Sequence, residues 1–218
     1  MKEVSTTTAY YPVFLKIRDR SCAVIGGGQV ALRKVKQLLE SEAKVTVISP
    51  EFCPELVRLA AQGEISLTER RYRTGDLRGV FVAIAATNDT IVNQRIAEEG
   101  RKESVLVNVV DDADDSDFIV PSLGRRGDIT IAVSTSGKSP ALARKIRTML
   151  EEQFGEEYAS LALLVSQVRT EIRQTGIPVS SERWQEALDV DSLLELLRKQ
   201  ETDKAKAVLL ANLRKGGH

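Results

Sequence analysis

The amino-acid sequence predicts an α/β protein: a doubly wound, mostly parallel sheet, then a hairpin-plus-helix segment and a small C-terminal helical domain. Three observations carry that expectation. Up to about residue 112, short β-branched runs alternate with segments of helical period, the pattern of successive βαβ units. The run S-C-A-V-I at 21–25 stops abruptly in Gly26-Gly27-Gly28 and is followed by helical period. Gly26, Gly28 and Ala31 have the spacing G-x-G-x-x-A, which makes the sheet Rossmann-like. Beyond Asp112 the alternation gives way to a hairpin-like pair and then to helical period almost to the end.

Taken in order, Tyr11–Ile17 reads as a short strand and Arg18-Asp19-Arg20 as a turn into the strand Cys22–Ile25. From Gln29 to Leu39, Val30, Val35, Leu38 and Leu39 fall at helical spacing between Arg33, Lys34 and Lys36. Lys44–Ile48 is β-branched and ends at Ser49-Pro50, where proline stops it. Glu55–Gln62 is a helix closed by Gly63, and Glu64–Tyr72 alternates like an edge-ward strand. Val80–Ala86 reads as a buried strand, Asp89–Arg101 as a helix and Val105–Val110 as another apolar strand. Asp111–Asp117 is an acidic loop. Phe118–Leu123 and Ile129–Ser134 form the hairpin, turning at Arg125-Arg126-Gly127-Asp128. After the polar loop Thr135–Lys138, Ser139-Pro140 is a strong helix start, serine as N-cap and proline in the first turn. Leu142, Ile146, Met149 and Leu150 then line one face, and Leu161, Val165, Val168 and Ile172 another. A break at Gly176-Ile177-Pro178 precedes helices over Ser181–Leu188, Ser192–Lys199 and Asp203–Leu213. The expected organisation is a dinucleotide-binding domain at 10–112, a linking segment at 113–148 and a helical domain at 149–218.

Composition removes several classes of function. The 31 basic and 31 acidic residues cancel, so nothing global draws the chain to nucleic acid or an anionic membrane. His218 is the only histidine, which leaves no structural zinc site and no Ser-His or Cys-His pair. Cys22 and Cys53 make no disulfide framework, and Cys22 reads as a small core residue. No apolar run approaches the roughly 20 residues of a membrane span, and Met1–Ala9 is polar rather than signal-like. The expectation is a cytoplasmic protein that binds neither membrane nor nucleic acid.

In a doubly wound sheet, ligands lie outside the carboxyl ends of the strands. Four such ends carry polar or turn residues: Gly26–Gly28, Ser49–Glu51, Thr87–Asp89 and Asn108–Asp111. At the first, Gly26 permits the tight turn, Gly28 lets the backbone approach a pyrophosphate, and Ala31 allows close packing of helix on strand. The helix start then offers unpaired N–H groups to the phosphates. NAD sites usually place an acid at the end of the second strand to accept from the ribose hydroxyls. Here that position is Ser49, leaving Glu51 or the backbone at Pro50 to serve; the alternative is that Ser49-Pro50 merely ends a strand. Ser49–Val57 contains no arginine, and Glu51 and Glu55 would repel a 2′-phosphate, so NAD is expected over NADP.

Five stretches read together are more specific. They are P-V-F-L-K-I-R-D-R-S-C-A-V-I-G-G-G-Q-V-A-x-R-K at 12–34, A-I-A-A-T-N-D at 83–89, V-N-V-V-D-D at 107–112, F-I-V-P-S at 118–122 and A-V-S-T-S-G-K-S-P-A-L-A-R at 132–144. Over residues 10–150 the chain resembles the siroheme-synthase family, in particular its precorrin-2 dehydrogenases, some of which are also sirohydrochlorin ferrochelatases. The helical remainder matches only in general character. The resemblance implies NAD-dependent oxidation of precorrin-2 to sirohydrochlorin, on the route to sirohaem. It implies a homodimer with the segment near 113–148 at its interface. Nucleotide contacts would fall on Gly26, Gly28, Gln29, Val30, Ser49, Pro50, Glu51 and Thr87, and the family's key acid on Asp111. Thr135 stands where the family carries a serine in the substrate loop, and Ser136, Lys138, Ser139 and Arg144 belong to the same motif.

The residues supply reasons. Dehydrogenation sends a hydride to the nicotinamide and a proton to a base, and a carboxylate at the sheet's C-terminal edge suits the second role. Asp111 could equally be a cap or a solvated loop acid, since Asp112, Asp114, Asp115 and Asp117 crowd the same stretch. A tetrapyrrole with many carboxylates calls for cations, and Arg125, Arg126, Lys138, Arg144, Lys145 and Arg147 cluster after the hairpin, though basic residues on a helix are usually a solvated face. Two other functions stay open. One adds insertion of ferrous iron, as a substrate with no fixed metal site, with Asp111 taking protons from pyrrole nitrogens. The other is an NAD-sensing regulatory module, which would have no reason for the S-T-S-G-K-S-P loop. The length is expected to leave no room for a fused methyltransferase.

Overall fold

The computed structural model describes residues 10–176 and 178–214; Met1–Ala9, Ile177 and His218, all read above from sequence, lie outside the described residues. The chain divides into two compact units, with the division after Val120.

In the first unit, five parallel strands lie in the order β3-β2-β1-β4-β5. They are β1 (Ser21–Ile25), β2 (Lys44–Ser49), β3 (Ile65–Glu69), β4 (Val82–Ala85) and β5 (Leu106–Val109). Helix α1 (Gln29–Leu39) joins β1 to β2, α2 (Pro54–Ala61) joins β2 to β3, and α3 (Thr90–Glu103) joins β4 to β5. Strand order reverses between β1 and β4, which creates the crevice where such sheets bind ligands. The central strands read as unbroken apolar runs because both of their faces are covered. Alternate residues of β1 serve opposite layers: Cys22 and Val24 join Leu32, Val35 and Leu56 on the α1–α2 side. Ala23 and Ile25 join Ile96 and Ala97 on the α3 side. Burial pushes the Cys22 thiol upward from its ordinary pKa, consistent with a packing role. The predicted edge strand is β3, in which only Ile65 is buried.

One element expected from the sequence is absent. Tyr11–Ile17 forms no strand; Tyr11 and Phe14 are 87% and 75% exposed, and only Ile17 packs against the core. Its aromatic and branched residues suit a strand, but no strand of the sheet pairs with it. The open side of β5 is covered instead by the acidic segment that follows it. Asp117 N–H donates to the Val107 carbonyl and its carboxylate accepts from Val107 N–H, both at 2.8 Å. Val109 N–H donates to Ser116 Oγ at 2.9 Å. A sheet edge is thereby closed by the backbone and side chains of an irregular segment rather than by another strand.

The connection from β3 to β4 is tied down by buried charge. Both terminal nitrogens of Arg70 grip Asp76, at 2.8 and 2.7 Å. The Glu99 carboxylate, buried on α3, accepts from Gly75 N–H (2.9 Å), Leu77 N–H (3.0 Å) and the Tyr72 hydroxyl. The Arg70 guanidinium, through its hydrogen bonds, holds the Asp76 carboxyl below the usual carboxylate range. A depressed pKa stabilises the folded chain above the ordinary carboxylate pKa, and that contribution disappears as the pH falls. Asp76→Asn is therefore expected to cost about 1–2 kcal/mol at neutral pH, with the gap to the parent closing below about pH 4. Urea denaturation across pH measures it.

The second unit holds the antiparallel hairpin of β6 (Ser122–Arg126) and β7 (Ile129–Val133), then α4 (Pro140–Gln153), α5 (Glu157–Gln174), α6 (Ser181–Ala187), α7 (Val190–Arg198) and α8 (Thr202–Arg214). The hairpin starts later and turns more tightly than predicted. Only Gly127-Asp128 lies between the strands, with Arg125 and Arg126 inside β6. Helix α4 begins where expected, and Ser139 Oγ accepts from Leu142 N–H at 3.2 Å. The predicted apolar face of α4 is only partly covered: Leu142 and Met149 are each 51% exposed, Ile146 and Leu150 are half-buried, and Ala143 is buried. Leu161, Leu164 and Val168 of α5 pack with Leu193, Leu197 and Leu209 in the core of the helical part.

Candidate dinucleotide site

Tracing the backbone through the glycine turn explains why each residue there is small. Gly26 has φ +125°, a conformation that side chains disfavour, and a Cβ on it would overlap the Ala86 carbonyl oxygen. Gly27, which the motif leaves unspecified, is the most crowded. A Cβ there would overlap the Glu51 carbonyl oxygen and lie 2.8 Å from Ser49 Oγ. Its own carbonyl accepts from Cys53 N–H at 2.8 Å, clamping the turn to the loop after β2. Gly28 is the opposite case: nothing lies within 4 Å of where its Cβ would stand. It is the N-cap of α1, which has neither a capping side chain nor an acid in its first turn. The first-turn N–H groups of α1 thus face open space with a partial positive charge, the arrangement that receives a phosphate.

These residues line a cleft of about 890 Å³ at the switch point. Gly26, Gly28, Gln29 and Val30 form its floor with Ser49 and Pro50 at the end of β2, and Thr87 to Val92 close it from the β4 side. Of the nucleotide contacts expected from sequence, all but Glu51 line this cleft; Glu51 is exposed and contributes its backbone beside Gly27. Ser49 is buried, and its hydroxyl takes up Glu51 N–H at 3.4 Å. The Thr87 hydroxyl is held within its own loop, 2.7 Å from Asn93 Oδ1. Asp89 spends its carboxylate capping α3, at 3.0 Å from Ile91 N–H. Sequence reasoning missed Arg71 and Tyr72, which reach the same cleft from beyond β3.

The acidic stretch after β5 sorts itself. Asp112 accepts from the backbone N–H groups of Asp114 and Asp115, Asp115 pairs with Arg101 at 2.8 Å, and Asp117 closes the sheet edge. Asp111 has no such task. It is exposed, has φ +61°, and is not among the residues lining the nucleotide cleft. A non-glycine residue in the left-handed region is uncommon, and such positions cluster at functional sites. Half-buried Lys34 on α1 lies close enough for the Asp111 carboxylate to support its charge, although burial, followed by repulsion from Arg33, lowers its pKa overall. Three residues before Asp111, Asn108 is 7% exposed; its amide donates to the Phe118 carbonyl, and its Oδ1 is the one buried side-chain polar atom without a partner among the described residues.

In the second unit the loop before α4 is knotted by Thr135, whose hydroxyl donates to the Ser139 carbonyl and accepts from Ser139 N–H, each at 3.0 Å. Ser136 (φ +52°) and Gly137 form the exposed tip. Of the six clustered cations, Arg147 is paired with Glu151. Arg126 caps the end of α4 through the Phe154 and Glu151 carbonyls. Lys138 and Arg144 are exposed and form no ion pair among the described residues. Among the described residues there is also no group of three or more His, Cys, Asp or Glu able to hold a metal ion, and no helix long and apolar enough to cross a membrane.

Comparison with known proteins agrees with this geometry. Residues 13–122 match a family described as "Putative NAD(P)-binding", and residues 126–153 match one described as the central part of sirohaem biosynthesis proteins. The chain is 37% identical over 206 residues to a siroheme synthase of Psychromonas ingrahamii, covering 94% of this chain and 44% of that one. It is 41% identical over 176 residues to a siroheme synthase of Nitrosomonas europaea, covering 80% and 37%. The chain thus spans less than half the length of these relatives. Among solved structures, SirC, a precorrin-2 dehydrogenase, superposes with a TM-score of 0.70 at 28% identity, over 94% of this chain and all of that one. With an NAD(P)-binding sheet, a sirohaem-type central segment and a whole-length structural match, the chain belongs to the family of SirC and the siroheme synthase N-terminal domain.

Proposed function

We propose that this protein oxidises precorrin-2 to sirohydrochlorin in sirohaem biosynthesis, with NAD as hydride acceptor and Asp111 as the base that takes the proton. The observation that carries this reading is the match to SirC over its full length, joined to an open phosphate cradle at Gly28. The cradle residues Gly26, Gly28, Gln29 and Val30 would hold the pyrophosphate. Ser49, Pro50 and the Glu51 backbone would border the ribose, with Thr87 across the cleft. The bound dinucleotide supplies the hydride chemistry. The chain supplies orientation, the positive end of α1, and a carboxylate at the end of β5. Asp111 is favoured over Asp112, Asp115 and Asp117 because these are already committed to structure, and over Asp114 because it stands nearer the end of β5. For the polycarboxylate substrate, Lys138, Arg144 and Ser136 offer exposed donors, and Thr135 and Ser139 fix the loop that presents them.

We further propose that the protein acts as a homodimer through α4 and the hairpin, because the helix leaves Leu142 and Met149 half exposed on one side. Leu142→Lys is expected to convert a dimer to a monomer in sedimentation velocity; a parent protein that sediments as a monomer rules this out. The test of function is anaerobic incubation with precorrin-2 and NAD, followed by NADH absorbance. Turnover supports the dehydrogenase. A parallel incubation of sirohydrochlorin with ferrous iron reads any chelatase activity separately.

A further inference from the structure

The ribose end of the cleft contains a cation that the local sequence does not announce. After β2 the chain offers Ser49 and Pro50, with no arginine before Val57. Strand β3, however, runs parallel to β2 with Ser49 opposite Glu69. The chain leaving β3 therefore arrives beside Ser49-Pro50 two residues later, at Arg71, which lines the cleft with them. Arg71 is the only cationic residue in that lining. The one carboxylate there, on Asp89, is already bonded to the start of α3. Glu51 and Glu55, the acids that would repel a phosphate, do not line the cleft.

The flanks of Arg71 are fixed while its own head is not. Arg70 is held by two bonds to Asp76, and Tyr72 by its hydroxyl on buried Glu99. The Arg71 guanidinium forms no hydrogen bond or ion pair among the described residues, although its neighbour Arg70 is fully paired. A backbone anchored on both sides thus carries an exposed, unpaired guanidinium on a residue that lines the cleft, which leaves it available to contact an anion. Guanidinium suits phosphate because its fork matches two oxygens at once.

We propose that Arg71 receives the 2′-phosphate of NADP, so that the cleft accepts NADP as well as NAD and Arg71 sets the ratio between them. This rests on the dinucleotide reading of the cleft and on neither the substrate nor the base. The test is calorimetric titration of the parent, Arg71→Ala and Arg71→Lys with NAD and with NADP, in the absence of tetrapyrrole. The parent is expected to bind NADP within about tenfold of NAD. Arg71→Ala should lower the NADP-to-NAD affinity ratio by about tenfold or more, the loss of one charge-assisted contact, and Arg71→Lys should recover part of it. A parent that binds NAD but not NADP, or a ratio unchanged in Arg71→Ala, overturns the proposal. Binding of neither nucleotide overturns the reading of the cleft itself.

Discussion

Asp111→Asn is expected to reduce precorrin-2 oxidation by about a hundredfold to ten-thousandfold in kcat, the usual contribution of general-base catalysis, while NAD affinity stays as in the parent. Asparagine keeps the size and the two-pronged shape of the side chain but cannot take a proton. The fold should tolerate the change. Asp111 is exposed and makes no structural hydrogen bond, and asparagine accepts the left-handed backbone conformation at φ +61° as readily as aspartate. Calorimetry with NAD and steady-state turnover on the same preparation separate the two effects. Near-normal turnover would remove Asp111 from the mechanism and direct attention to Asp114, the other acid of the stretch whose carboxylate has no structural bond among the described residues.

Two adjacent glycines should fail in opposite ways. Gly27→Ala drives a methyl group into the Glu51 carbonyl, and a backbone oxygen held by the loop after β2 cannot swing aside as a flexible side chain can. The expected cost is about 2–3 kcal/mol, or a fall of about 10 °C in Tm. Gly28→Ala places its methyl where no protein atom lies within 4 Å. It should cost less than about 1 kcal/mol, the difference between glycine and alanine at an N-cap. Its effect falls on the ligand: the methyl occupies the path by which a pyrophosphate approaches the first turn of α1. NAD affinity should drop by about tenfold or more, as expected when charge-assisted phosphate contacts are lost. Thermal denaturation and nucleotide titration of both variants read the contrast. Equal loss of stability at the two positions would mean that the Gly28 side is not a ligand cradle.

What the sequence disclosed follows from how local its causes are. β1, β2, β4 and β5 were legible because strands covered on both faces have to be short apolar runs. The Ser139-Pro140 helix start was legible because capping chemistry is local to a few residues. The acidic residues after β5 looked interchangeable in sequence. Only the pairing of Asp117 with Val107 and of Asp115 with Arg101 separated them from Asp111. Arg71 was invisible because its place beside Ser49 depends on the register of β2 with β3. Gly27 was passed over because the motif records which residues face the ligand, whereas its constraint comes from Glu51, far along the chain. Tyr11–Ile17 misled for the reverse reason: its pattern suits a sheet, yet a strand exists only where a neighbour pairs with it. Helical period likewise showed that α4 has an apolar face without showing what covers it.

The central claim is that the cleft at the switch point and the acid at the end of β5 together oxidise a tetrapyrrole. The measurement that tests it most directly is NADH production by the purified protein from precorrin-2 and NAD, run beside Asp111→Asn. The account predicts NADH and sirohydrochlorin formed in equal amounts by the parent and almost none by the variant, with both proteins binding NAD alike. NAD binding by the parent without any NADH on addition of precorrin-2 would contradict it and leave the chain a nucleotide-binding module.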